Sequence, residues 1–352
     1  MTKDRTYEAL ADLPFSIESY ALEGLEKVVS SGFTRRTTVV RLDGRGHQGV
    51  GEDVTYDGDD QVALQTGGGG LPLTGEYTLA TFSDLLSRLD LFPSGPARED
   101  FRNYRRWAFE SAALDLALRQ ADTSLHALLR REPRPVTFVV SLRLGDPPTS
   151  APLHRLLDRY PGLRFKLDAT SAWTEELFEE IAALGVVDSV DLKGAYSGTV
   201  VDQEPDPELY ERVVRWFPRA WIEDPALTPA TEEVLAPARE RITWDAPIHS
   251  VADIERLPFP PRTVNVKPSR FGRLESLCAA YDYCEAQVIG AYGGGQFELG
   301  PGRGQIQYLS SVFHADGPND VAPGGFNDAD PPEGLPESPL PPSPAPTGFR
   351  WG

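Results

Sequence analysis

Between Leu163 and Ser269 five short apolar segments each carry a charged residue at or near their end, and this ladder constrains the fold more than any other feature of the chain. The segments are LRFKLD (163–168), VDSVDLKG (187–194), AWIEDP (220–225), ITWDAP (242–247) and VNVKPS (264–269). With Lys166, Asp191, Glu223, Asp245 and Lys267 as markers, the steps are 25, 32, 22 and 22 residues, about what a strand, a helix and two short loops occupy. Alternation along a strand puts Lys166 and Asp168 on one face, and likewise Asp191 with Lys193 and Asn265 with Lys267. Charge at such positions is costly unless it is used, and at the mouth of a barrel it reads as catalytic.

The flanking chain extends the pattern. TFVVSLRLG (137–145) reads as a first barrel strand, and helices are expected at Ala151–Asp158, Glu175–Leu184, Pro207–Trp216, Thr231–Arg239, Val251–Leu257 and Arg273–Glu285. Gln287–Tyr292 supplies a seventh strand, and Asn319–Ala322, after a helix around Ile306–Phe313, an eighth. Strands alternating with helices at this spacing imply a parallel sheet closed into a (β/α)8 barrel over residues 135–327. Residues 1–134 read differently. A β-hairpin spans 34–55, and a helical pattern from Arg102 to Arg131 restarts after Thr123-Ser124, so this is an α+β domain. Pro133 and Pro135 mark its boundary. Gly67–Gly70 forms a loop without the Lys-Ser/Thr that a phosphate-binding loop requires. Eight prolines within 331–346 make the tail, 328–352, extended or disordered rather than packed, with Phe349 and Trp351 as local docking points.

A net charge of −19, spread along the chain, argues against nucleic acid and against an anionic membrane as partners. No apolar run approaches a membrane span and the start lacks a signal pattern, which points to the cytoplasm. Cys278 and Cys284 lie six apart in one helix, off a common face, and read as buried packing. Only five of the 34 basic residues are lysine (Lys3, Lys27, Lys166, Lys193 and Lys267), so three of the five fall in the ladder. Lysine can act as a proton-transfer base when its pKa is lowered, whereas arginine effectively cannot.

Asp191, Glu223 and Asp245 on consecutive strand ends would present hard oxygen ligands to one centre, which suits Mg²⁺. Lys166 and Lys267, on either side, would face a small-molecule carboxylate substrate as catalytic residues, and removal of a proton α to that carboxylate fits such a site. His249, just beyond the Asp245 strand, reads as a loop or capping histidine that lies within reach of substrate. Glu298, in YGGGQFELGPGRG, sits among glycines that allow close backbone approach.

The order Lys, Asp, Glu, Asp, Lys, with IEDP, WDAPIHS and NVKPSRFG, resembles the enolase superfamily, and within it the muconate-lactonising-enzyme and o-succinylbenzoate-synthase branch. GVGED and WAFESAALDLALRQADTSLHALL resemble that family's N-terminal domain, and the likeness covers roughly residues 10–325. It implies a modified (β/α)8 (TIM-type) barrel with an N-terminal α+β capping domain. It also implies the family's pairing of lysine with Mg²⁺ in a lyase or isomerase, with Lys166 as the first lysine of a Lys-x-Lys motif and Lys267 as the sixth-strand lysine. A homo-oligomer is compatible with all of this.

Two positions depart from the pattern. The second lysine of Lys-x-Lys is Asp168, and the asparagine two residues after the first metal ligand is Lys193. Three readings follow: Lys193 supplies the missing ammonium from the next strand, Asp168 pairs with a lysine in a different reaction, or catalysis is lost and the barrel only binds a ligand or partner. LDATSAWT also resembles the family's third-strand segment, which would make Asp168 a metal ligand, whereas counting strands back from Glu223 favours Asp191.

Overall fold

The computed structural model describes residues 5–30, 32–67, 70–196 and 203–352. The expected Gly67–Gly70 loop lies partly outside them, its first residue being the last of a helix, Gly58–Gly67.

The N-terminal domain is a short antiparallel pair, β1 (Pro14–Ile17) with β5 (Gly75–Thr78), beside a three-stranded meander of β2 (Ser19–Val28), β3 (Thr34–Gly44) and β4 (His47–Asp53). Arg45 and Gly46, both at positive φ (51° and 74°), make the two-residue turn between β3 and β4, a backbone that matches the twist of the paired strands. The helix Phe101–Gln120 lies against this sheet. A Cβ at Gly49 or Gly51 would sit 2.2 or 2.0 Å from a carbonyl oxygen of that helix, so the two glycines allow the contact. Ala108, Ala112 and Leu116 on the helix and Val40 and Leu42 on β3 are among its fully buried core.

The second domain carries β6 (Val140–Leu142), β7 (Phe165–Asp168), β8 (Val187–Asp191), β9 (Trp221–Glu223) and β10 (Ile242–Thr243) as one parallel sheet, and β11 (Thr263–Val266) paired in parallel with β12 (Gly290–Gly293). Hydrogen bonds join these pieces into a closed ring. The Asn265 amide donates to the Trp244 carbonyl (2.9 Å), Asp320 to Gly293 (2.8 Å) and Val139 to Asn319 (2.9 Å). The eighth position is therefore two bridging residues, Asn319 and Asp320, where a strand over Asn319–Ala322 was expected. The Asn319 side chain does much of the joining: it accepts the Gly293 amide (2.7 Å) and donates to the carbonyls of Thr137, His314 and Gly317.

The tail corrects the expectation of disordered chain. Leu340 and Val136 exchange backbone hydrogen bonds, Phe349 is fully buried against Trp107 and Tyr308, and Arg350 bonds Asp115 at 2.8 Å. Proline cannot supply sheet or helix hydrogen bonds, but it pre-orders an extended chain. Apolar residues spaced between prolines then dock without a regular element. Among the described residues no helix is long and apolar enough to cross a membrane.

Candidate functional site

Strand register builds the site. Asp168, Asp191 and Glu223 are directly paired across β7, β8 and β9, so three carboxylates stand side by side at one end of the barrel. Asp245 follows two residues beyond β10, and Lys267 stands between the end of β11 and a one-turn helix, Pro268–Phe271, which it caps. All five marker residues are buried. Among the described residues, the acidic ligand atoms that lie within 4.8 Å of one another belong to Asp191, Glu223 and Asp224.

Asp224 is a residue of the site that the sequence did not single out. It sits at φ 47°, and its two oxygens accept the amides of Asp245 and Ala246, each at 2.8 Å. It thereby fixes the strand end that carries Asp245. Asp245, expected as the third ligand, lies outside the close group. Its oxygens take Arg270 (2.7 Å), Lys267 (2.8 Å) and the Tyr196 hydroxyl (3.0 Å). Arg270 also bonds the Asp245 carbonyl, and its own carbonyl accepts the side chain of Asn103 (2.7 Å) from the helix Phe101–Gln120, which ties the first domain to the site. A Cβ at Gly294 would meet Lys267 Cε at 2.5 Å, so that glycine makes room for the lysine stem.

On the other side, Lys166 Nζ contacts Glu223 closely and lies 3.3 Å from Asp191 and 3.9 Å from Asp320. The Tyr292 hydroxyl donates to the second Glu223 oxygen. Lys193 contacts Asp191 through its ammonium and through its backbone amide (2.9 Å), and stands 3.4 Å from Asp168, which also holds Arg143 (2.8 Å). His249 bonds the Ala246 carbonyl (2.9 Å), a loop contact, and Glu298 accepts the Gln296 amide (2.6 Å) and pairs with Arg303.

The charge pattern has a direct physical reading. Burial and the neighbouring carboxylates push Glu223 up to about 8, against the pull of Lys166, and push Asp224 up to about 7. Burial also opposes ionisation of Asp191 and Asp245, but Lys193 and Lys166 hold the first, and Arg270 and Lys267 the second, well below the usual carboxylate range. Four adjacent buried carboxylates need cations. Hard oxygen donors crowded this closely fit a divalent ion such as Mg²⁺. Nearby polar groups without a hydrogen-bond partner agree with that: Ser189 Oγ, on the Asp191 face of β8, and both amide atoms of Asn265, on the Lys267 face of β11, are buried and unpaired.

Two family models match the sequence, the N-terminal domain of DUF8230, a domain of unknown function, over residues 8–128 and its C-terminal domain over 132–328. No curated protein matches the chain. Similar solved structures include an enolase-superfamily member from Listeria innocua (19% identity, 88% of this chain and 86% of that one, TM-score 0.67). A probable mandelate racemase from Alicyclobacillus acidocaldarius gives 18% identity, 88% and 87% coverage and a TM-score of 0.67. Muconate cycloisomerase from Pseudomonas fluorescens gives 18%, 96% and 94%, and 0.62. The fold is thus that of the enolase superfamily, a capping domain on a (β/α)8 barrel.

Proposed function

Because the chain belongs to the DUF8230 family and has the enolase-superfamily fold, we propose that it is a Mg²⁺-dependent enzyme that removes a proton α to a carboxylate of a small molecule, as a lyase or isomerase. The observation that carries this reading is the crowding of buried carboxylates at the strand ends, where Asp191, Glu223 and Asp224 lie within 4.8 Å of one another and Asp224 holds the backbone of Asp245 beside them. Asp191, Glu223 and Asp245 would hold the ion. Asp224 gives both oxygens to backbone amides that cannot move without refolding the strand end, whereas the partners of Asp245 are side chains, or part of them, that can yield to a cation. Bound there, Mg²⁺ would supply positive charge opposite the substrate carboxylate and oppose the negative charge that proton removal creates.

The chain's own residues do the rest. Lys267, aimed by Asp245 and the space at Gly294, takes or returns the proton at the substrate α-carbon through Nζ. Lys166, buried beneath Glu223 and Asp191, holds fixed positive charge behind the carboxylates. Asn103 and Arg270 keep Asp245 and Lys267 in register with the capping domain. The test is exchange of substrate α-hydrogen for solvent deuterium across a carboxylate library, with loss of exchange in Lys267→Ala.

A second reading, a barrel that binds a ligand without turning it over, is favoured by one observation: Lys166, Lys193 and Lys267 are each paired with a carboxylate. Deuterium exchange on any library member rejects it.

A further inference from the structure

Asp168 and Lys193 are the two positions where this chain departs from the superfamily pattern, and the structure puts them together. Lys193 adopts a left-handed backbone, φ 55°, which non-glycine residues seldom adopt. That bend aims two groups of one residue at one carboxylate: the amide at Asp191 Oδ1 and the ammonium at Asp191 Oδ2. Lys166 approaches the same Oδ2 at 3.3 Å, so both oxygens of this first ligand are engaged by the protein. A divalent ion on Asp191 Oδ2 would stand close to the Lys193 ammonium, and two cations repel strongly in a buried, low-dielectric space.

The ammonium already stands 3.4 Å from a second carboxylate oxygen, Asp168 Oδ1, on which it can settle. Asp168 Oδ1 is buried and has no hydrogen-bond partner, while Oδ2 of the same carboxylate is held by Arg143. A lysine at position 168 would leave Lys193 nowhere to go, and an asparagine at 193 would take away the positive charge that faces Asp168 Oδ1. The two substitutions make sense as a pair.

We propose that Lys193 is a two-seat counter-ion, resting on Asp191 while no divalent ion is bound and moving to Asp168 when one is. The inference rests on the metal reading above and adds a property to it. Lys193 lowers the affinity of the site for the ion alone, and Asp168 limits that loss by receiving the displaced ammonium.

The experiment is a calorimetric titration of Mg²⁺ into the full chain at one fixed pH, repeated with Mn²⁺ by paramagnetic resonance. Lys193→Met is expected to tighten binding at least tenfold. Asp168→Asn is expected to weaken it at least tenfold, and to have no effect once Lys193 is Met. Equal affinity of Lys193→Met and the unsubstituted chain, or an Asp168→Asn effect of the same size in both backgrounds, overturns the proposal and leaves the metal reading standing. Absence of binding to both the unsubstituted chain and Lys193→Met overturns the metal reading and this inference with it. Should either variant fail to fold, a crystal of the unsubstituted chain grown with Mn²⁺ decides. Lys193 Nζ on Asp168 Oδ1 supports the proposal, and Lys193 still on Asp191 beside the ion rejects it.

Discussion

Two groups of buried polar side chains in the barrel, at the mouth and at the seam, are handled in opposite ways. At the mouth, Asp191, Glu223 and Asp245 are held mainly by side-chain cations. At the seam where the ring closes, Asn319 is held by neutral hydrogen bonds, three of its partners being backbone carbonyls and one a backbone amide, and His314 is wedged between Asn319 (2.7 Å) and the Tyr281 hydroxyl (3.2 Å). Side-chain ammonium groups can change partners at modest cost, whereas backbone groups move only if the strand moves. The mouth is built to be rearranged by a ligand and the seam to stay fixed.

That contrast can be broken by substitution. The largest effect on ion binding is expected at the mouth: Glu223→Gln lowers Mg²⁺ affinity by about a hundredfold or more in a calorimetric titration. An unchanged affinity would remove the distinction between the two regions. Asn319→Ala acts the other way, costing about 4 kcal/mol in denaturant unfolding, because it strands several buried partners at once. Metal affinity per folded molecule should stay as it was.

Acid probes the seam more gently. Burial lowers His314 from 6.5 to about 4. Between those values the unfolded chain binds more protons than the folded one, so stability present above pH 6.5 is lost as pH falls toward 4, by about 3 kcal/mol in all. Unfolding free energies across this window should show that slope, and His314→Gln should lack its share of it. The smallest effect is Tyr196→Phe, which removes one hydroxyl from Asp245 while Arg270 and Lys267 remain. About 1 kcal/mol of stability is expected to go, read by thermal melting.

Much of the mouth was legible in the sequence because charge at the end of an apolar segment is rare and therefore informative. The markers Lys166, Asp191, Glu223, Asp245 and Lys267 all came from that signal. Asp224 did not, because a second acid beside Glu223 looks like the start of a loop, and only its bend at φ 47° shows that it clamps the next strand. Arg270 and Tyr196 were missed as well. Each lies in the segment after a strand, where three-dimensional approach to Asp245 leaves no period in the sequence. The seam was the least legible, since asparagine and histidine near a glycine and a proline read as any surface turn. The tail misled for a related reason. Proline content reports the absence of regular hydrogen bonding, and Phe349 shows that a chain without it can still be buried.

The Asp115 side chain gives that last point a consequence for how the molecule is made. It accepts the amide of Val50 in β4 and, across 234 residues, the amide of Phe349. The interior of the N-terminal domain is therefore completed by a segment that lies beyond the barrel in the sequence. Until that segment has been made, the Asp115 carboxylate lacks one of its two backbone donors, and Trp107 and Tyr308 lack the ring that packs against them.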